Sequence, residues 1–149
     1  MRIVFMGSAP IAVKCLDAIL AVGKDEVVAV VTQPPKPKGR GRDVGMSELG
    51  GYAVKSGIKV LSPVKVNLAE SISDIVALSP DVIVVVAYGQ ILGREILGIP
   101  AKGCINMHAS LLPKYRGAAP ITWAVANGET ATGVTSMFMN EKMDEGDII

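Results

Sequence analysis

Arg2-Ile3-Val4-Phe5-Met6-Gly7-Ser8-Ala9-Pro10 and Glu26-Val27-Val28-Ala29-Val30-Val31-Thr32, with the helical stripe between them, decide the fold. Arg2–Met6 and Glu26–Thr32 are continuous apolar runs of strand length, rich in β-branched residues. Gly7–Pro10 turns the chain out of the first run. Pro10 suits the first position of a helix, where its missing N–H would have no intrahelical partner anyway. Ile11, Val13, Leu16, Ile19 and Leu20 then recur at helical spacing as far as Gly23. A sheet wet on one face would alternate apolar and polar residues. Continuous apolar strands joined through a helix imply parallel pairing with both faces covered. The expected fold is therefore α/β: a doubly wound, mostly parallel sheet with helices on both faces.

The rest of the chain keeps this rhythm. Ser47–Ser56 predicts a helix capped by Ser47, and Ile58–Leu61 a short strand. Asn67 is expected to cap a helix running to Leu78. Val82–Ala87 is the most hydrophobic run and is expected to be a central strand, ending in the loop Tyr88-Gly89-Gln90. Arg94–Leu97 reads as a turn of helix, Cys104–His108 as a strand, and Ala119–Asn127 as a helix stopped by Gly128. Gly133–Phe138 is strand-like, and Asn140–Gly146 is a polar loop. Asp147-Ile148-Ile149 looks like the opening of another strand. The expectation is that residues 1–149 are an amino-terminal portion of something longer.

Bulk properties narrow the function. A chain of 149 residues is of single-domain size. Half its residues are hydrophobic, 19% are charged and the net charge is +1, which argues against a general polyanion-coating protein and leaves room for a local basic patch. Two cysteines make no disulfide framework, and no metal-ligand spacing joins them. The longest uninterrupted apolar run, Val82–Tyr88, falls far short of the roughly 20 residues that span a bilayer. Gly7–Pro10 interrupts the first apolar run too early for a signal peptide. A monomeric cytoplasmic protein with no membrane partner is expected. No G-x-G-x-x-G dinucleotide fingerprint or P-loop is present.

The chemistry is then sought at the carboxyl edge of the sheet, where open α/β folds bind ligands. Asn106 and His108 stand two residues apart in a predicted strand and project from one face, while Met107 turns the other way into packing. His108 is the only histidine in the chain. By itself it also reads as a hydrogen-bonded packing residue, and Asp144, among Glu141, Lys142, Glu145 and Asp147, reads as part of a solvated turn. Brought together, the three side chains suit acyl transfer to an amine without a covalent enzyme intermediate. An Asn amide can donate to a developing oxyanion, a His can donate or shuttle a proton, and an Asp can orient the imidazole. Cys104 sits on the Asn106 side of the strand with no paired base, a weak case for a nucleophile. Gln33–Arg42 holds three prolines, two glycines and four cations in ten residues. It is either a solvated connector or a loop for a phosphate partner. Met137, Met139, Met143, Trp123 and Cys15 are expected to be packing residues, and Tyr115 and Arg116 either line the substrate side or form a surface turn.

Asn106-Met107-His108-Ala109-Ser110-Leu111-Leu112-Pro113-Lys114-Tyr115-Arg116-Gly117-Ala118-Ala119-Pro120 resembles the signature of the folate-dependent formyltransferases. Val4–Ser8, Thr32–Pro34 with Gly39–Gly41, Val84–Gly89, Thr132–Thr135 and Met143–Asp147 resemble other family segments in the expected order, so the likeness covers nearly the whole chain. Asp43–Gly51 departs from the usual pattern. The resemblance implies a Rossmann-like catalytic domain over residues 1–149, without the family's carboxyl-terminal β-rich tRNA-binding domain. Its R-G-A-A-P run most resembles the branch in which 10-formyltetrahydrofolate donates a formyl group to the methionyl α-amine of initiator methionyl-tRNA, with no metal. It implies Asn106, His108 and Asp144 as catalytic residues, and Ser110, Leu111, Leu112, Pro113, Tyr88 and Gly89 at the folate site. It further implies tRNA contacts from Arg40, with Lys36, Lys38 and Arg42 in support. Amino sugar nucleotides or a purine-precursor ribonucleotide are alternative acceptors, formyl-folate hydrolysis an alternative reaction, and an RNA-binding module the non-catalytic reading.

Overall fold

The computed structural model describes residues 1–38 and 43–149. Its strands are β1 (Arg2–Gly7), β2 (Glu26–Val31), β3 (Lys36–Lys38), β4 (Asp43–Gly45), β5 (Val60–Leu61), β6 (Val82–Val86), β7 (Cys104–His108) and β8 (Thr135–Phe138). The helices are α1 (Pro10–Val22), α2 (Glu48–Lys55), α3 (Ala69–Ala77), α4 (Arg94–Leu97) and α5 (Pro120–Ala126). Six strands form the main sheet in the order β5-β2-β1-β6-β7-β8. All neighbouring pairs run parallel except β7 and β8. The chain starts in the middle, winds outward through β2 and β5, then returns to β6 on the other side of β1. The strand order therefore reverses between β1 and β6, which opens a crevice at their carboxyl ends.

Both faces of the sheet are buried, as the continuous apolar strands require. Val4, Met6, Ala29, Val31, Ile83 and Val85 pack with Ile75 of α3 and Ile96 of α4. The alternate residues Phe5, Val30 and Val86 pack with Ala12 and Leu16 of α1 and Leu49 and Ala53 of α2. Gly7 ends β1 where a Cβ would stand 2.8 Å from both the Val86 carbonyl oxygen and Ala12 Cβ. Only a residue without a side chain lets β1, β6 and α1 approach this closely.

Several expectations need correction. Leu68, not Asn67, occupies the N-cap position of α3. The Asn67 carboxamide instead donates to Ile91 O at 2.9 Å and accepts from Gly93 N at 2.8 Å. A tertiary bond to the 91–93 loop won over the local cap. Trp123 is 57% exposed and Met143 60% exposed, so neither is core. Cys15 is half-buried. β3, within the Pro-rich stretch, pairs antiparallel with β4, which follows that stretch, as a two-stranded ribbon outside the main sheet. Ser47 does cap α2, its Oγ accepting from Gly50 N at 3.0 Å. Past β8, Ile148 makes a single antiparallel bridge to Met137. Among the described residues no helix is long and apolar enough to cross a membrane.

Candidate active site

β7 carries the first two candidate side chains, Asn106 and His108. Its register sets Asn106 beside Val85 of β6 and His108 beside Thr135 of β8. Cys104 joins the cluster on the α3/α4 face, and Met107 packs against the opposite one. Strand alternation thus puts Asn106 and His108 on one face, with the apolar residue between them anchoring the other.

Asp144 arrives from a separate loop and lies between them. Its Oδ1 accepts from Asn106 Nδ2 at 3.2 Å. Its Oδ2 accepts from Gly117 N at 2.8 Å and lies 3.4 Å from His108 Nδ1. The other imidazole nitrogen, Nε2, is 2.8 Å from Tyr115 O. A carbonyl oxygen can only accept, so Nε2 carries a hydrogen in this arrangement. The side chains of His108 and Asp144 are only 8% and 13% exposed, so little water screens their interaction.

The loops that deliver these groups are held in unusual backbone conformations. Asp144 and Tyr115 both have positive φ, 52° and 59°. Asp tolerates this region through its short polar side chain, whereas for Tyr it is a strained choice. Both residues touch His108, so strain is stored where the imidazole is held. Gly146 lets the Asp144 loop close down on β8: the position of a Cβ there is already filled by the Phe138 carbonyl. Phe138 N then donates to Asp147 O at 2.8 Å.

The other predicted residues divide by what their side chains reach. Ser110 is fully buried, and its Oγ donates to Lys114 O at 2.7 Å. Thr135 Oγ1 donates to Ser110 O at 2.7 Å and accepts from Leu112 N at 3.1 Å. Ser110 therefore shapes the 110–117 loop and does not present its hydroxyl outward. Leu111 is 53% exposed. Pro113 is exposed and Leu112 half-buried. The ring of Tyr88 lies in the α3/α4-side core, and its hydroxyl is buried with no hydrogen-bond partner among the described residues. Burial pushes this phenol up to about 12. Only the Tyr88 backbone reaches the edge, where its carbonyl accepts from Gln33 Nε2 at 3.1 Å. Gly89, with φ of 82°, turns the chain out of β6. Lys36 and Lys38 have their backbone in β3, while Arg40 and Arg42 lie outside the described residues. Cys104 is buried and its thiol is pushed up to about 12 by desolvation, so it is not a nucleophile at neutral pH.

Three contributors to the site were not read from the sequence: the Tyr115 carbonyl, the Gly117 amide and the Thr135 hydroxyl. Backbone groups leave no compositional trace. The one usable signal was the glycine closing the Lys114–Gly117 turn. A cleft of about 280 Å³ opens beside the same loop, lined by Leu111, Lys114, Tyr115 and Glu129 among others. A larger one of about 390 Å³ lies between β5 and α3, away from the three side chains. Among the described residues, no group of three or more His, Cys, Asp or Glu side chains is gathered to hold a metal.

Chemically, the arrangement offers an amide donor, an imidazole and a carboxylate in one linked, poorly hydrated set. The second Asn106 amide hydrogen makes no hydrogen bond among the described residues. It is available to a substrate oxygen.

Comparison with known proteins bears on the family of the chain. A methionyl-tRNA formyltransferase of Clostridioides difficile (strain 630) is 58% identical over 149 residues, all of this chain and 48% of that protein. One of Desulforamulus reducens is 56% identical over all of this chain and 47% of its own length. The chain thus spans about half the length of the curated relatives it matches. Among solved structures, a phosphoribosylglycinamide formyltransferase from Bacillus halodurans superposes with a TM-score of 0.80 at 22% identity, covering all of this chain and 77% of that one. A formyltetrahydrofolate deformylase from Pseudomonas syringae pv. tomato gives 0.76 at 23% identity, over 99% of this chain and 49% of that one. These two likenesses establish the fold. The formyl transferase family model matches residues 1–149. With that match over its whole length, the chain belongs to the formyl transferase family.

Proposed function

We propose that this chain carries the reaction centre of a methionyl-tRNA formyltransferase. The formyl group of 10-formyltetrahydrofolate passes to the α-amino group of methionine on initiator tRNA. The observation that carries the reading is Asp144, whose two carboxylate oxygens engage Asn106 and His108 from a loop distant in sequence. The names of the relatives at 52–58% identity support this acceptor over amino sugars and purine precursors.

In this reading the amine attacks the formyl carbon. The second Asn106 N–H, aimed by the bond from its partner hydrogen to Asp144, donates to the oxyanion. The His108–Asp144 pair takes up the proton that the amine loses and passes it to the departing folate nitrogen. Both imidazole nitrogens face protein partners, Tyr115 O and Asp144 Oδ2, so the oxyanion contact falls to Asn106. The N–C bond to folate breaks as the new amide forms, so the net exchange is one formyl group for one proton.

The residues present fit a folate as cosubstrate. Leu111 and Met143 are more than half exposed, and Met143 Sδ is 3.5 Å from where a Gly117 Cβ would stand, beside Asp144. The positive-φ turn at Ala87 and Gly89 offers backbone groups in place of side chains. Apolar walls with backbone donors and acceptors suit a flat heteroaromatic ring. Lys36, Lys38, Arg40 and Arg42 are the proposed tRNA contacts.

The test is transfer of labelled formyl from 10-formyltetrahydrofolate to methionyl initiator tRNA, on a chain of the relatives' full length, with amino sugar nucleotides and glycinamide ribonucleotide as competing acceptors. Asn106→Ala is expected to lower turnover about 10²- to 10³-fold, the usual effect of losing one oxyanion donor. Unchanged turnover in that variant, or a preference for a small-molecule amine, overturns the assignment.

A further inference from the structure

We infer that Glu129 is a positioning residue for His108, acting through Tyr115. The kinetic part of this inference rests on the function proposed above. Its structural part does not.

Glu129 Oε1 accepts two hydrogen bonds from adjacent residues of the 110–117 loop: Tyr115 OH at 2.8 Å and Lys114 Nζ at 2.9 Å. The carbonyl of Tyr115 is the group that faces His108 Nε2 at 2.8 Å. One carboxylate oxygen thus holds the side chain of the residue whose backbone holds the imidazole. The same turn supplies Gly117 N–H to Asp144 Oδ2, so both partners of the His108–Asp144 pair lean on it.

Such a brace is needed because Tyr115 has a φ of 59°. An L-residue with a bulky side chain does not keep that conformation without support, because its Cβ crowds the following carbonyl. Released, the peptide would relax and carry the carbonyl away from Nε2. Two other contacts hold the loop nearby, Ser110 Oγ to Lys114 O at 2.7 Å and Glu129 N to Ala124 O at 3.0 Å. The first fixes the start of the turn, and the second anchors Glu129 to the end of α5. The carboxylate is thereby mounted on a rigid element. Its side chain is 27% exposed, so its bonds are partly shielded from water. The titration tendencies agree in direction. Hydrogen bonds from Lys114 and then Tyr115 lower Glu129 below the usual carboxylate range, and the bond to Glu129 raises the Tyr115 phenol.

The function of the brace is to keep a fixed acceptor at Nε2. Nε2 then carries the hydrogen, and Nδ1 faces Asp144. Without it the ring is free to change tautomer or rotate, and Nδ1 no longer faces Asp144 in a defined state.

The experiment reads the imidazole of His108, the one histidine among residues 1–149. Nitrogen-15 NMR, with the His108 signals assigned by their loss in His108→Gln, shows which of the two ring nitrogens is protonated. Wild type is expected to show a protonated, hydrogen-bonded Nε2. Tyr115→Phe removes only the hydroxyl and is expected to shift the Nε2 signal and reduce the protonated share. Glu129→Ala should do the same, while Glu129→Gln, whose amide oxygen still accepts from the phenol, should restore the wild-type pattern. Lys114→Ala cuts the ion pair and leaves the Tyr115–Glu129 bond, so it should leave the imidazole signals in place.

Formyl transfer by Tyr115→Phe is expected to fall about three- to tenfold in kcat, the equivalent of one ordinary hydrogen bond, with KM for both substrates within about twofold. Imidazole signals unmoved in folded Tyr115→Phe overturn the inference, whatever the activity. So does an equal shift in Lys114→Ala. Shifted signals with no formyl transfer in the wild type would leave the brace standing and remove the proposed reaction.

Discussion

Replacing Asp144 by Asn is the sharpest perturbation of this site, because it removes the charge with almost no change in shape. Asn adopts positive φ as readily as Asp, so the backbone at φ 52° is not disturbed. The carboxylate accepts from Asn106 Nδ2 and Gly117 N, and its Oδ2 lies 3.4 Å from His108 Nδ1. An amide has only one oxygen. If that oxygen stays with Gly117 and His108, its NH₂ group faces the NH₂ of Asn106, donor against donor. The conflict is relieved by flipping the Asn106 carboxamide, which turns its N–H groups away from their present direction. Either way the proposed oxyanion donor is lost or displaced.

Turnover is expected to fall about 10²- to 10³-fold, with KM within about threefold. Stability should fall by about 1–2 kcal/mol, since charge-assisted bonds are replaced by weaker neutral ones. For a domain of this size that is a drop of a few degrees in Tm. Single-turnover formyl transfer and urea unfolding measure the two effects separately. Asp144→Ala is the comparison: it loses every acceptor and places Ala at positive φ, so it should be less stable than Asp144→Asn by about 1 kcal/mol or more. If Asp144→Asn is folded and turns over within threefold of wild type, the carboxylate does not organise the donors and the mechanism fails.

Other outcomes follow from the packing and the buried groups. Thr135→Val, which strips one hydroxyl of its bonds to Ser110 O and Leu112 N, should cost about 2 kcal/mol in urea unfolding. Equal stability would mean that the 110–112 backbone finds replacement partners. Gly7→Ala must force apart β1, β6 and α1, and a loss of about 1–3 kcal/mol is expected. A variant as stable as wild type would contradict the close approach described here. Cys104 should resist thiol reagents at pH 8 until the protein unfolds, while half-buried Cys15 should react first, as peptide mapping would show. Because the folded Cys104 pKa of about 12 exceeds its ordinary 9.0, the unfolded chain releases this proton first as pH rises. Stability from this group is therefore complete below about pH 9 and declines toward pH 12. Cys104→Ala should flatten that alkaline decline, and an unchanged slope would assign it elsewhere.

The doubly wound sheet was legible because its signal is local and repeated. Arg2–Thr32 already states strand, helix and strand with both faces apolar, and hydrophobic burial leaves few other ways to pack such a pattern. The shared face of Asn106 and His108 was also legible, since strand alternation fixes it over two residues. What the sequence left open lies at longer range or in the backbone. The local cap signal of Asn67 lost to a tertiary bond with the 91–93 loop. Trp123 and Met143 looked like core because hydrophobicity alone does not say which face a residue will turn. Whether Asp144 was a solvated turn or a partner of His108 depended on a closure made possible by Gly146 against Phe138. The acceptor on Nε2 is a carbonyl, present at every residue and so invisible in composition. Side-chain chemistry along the chain thus named the candidate groups, while their alignment was decided by two strained loops that only tertiary packing holds in place.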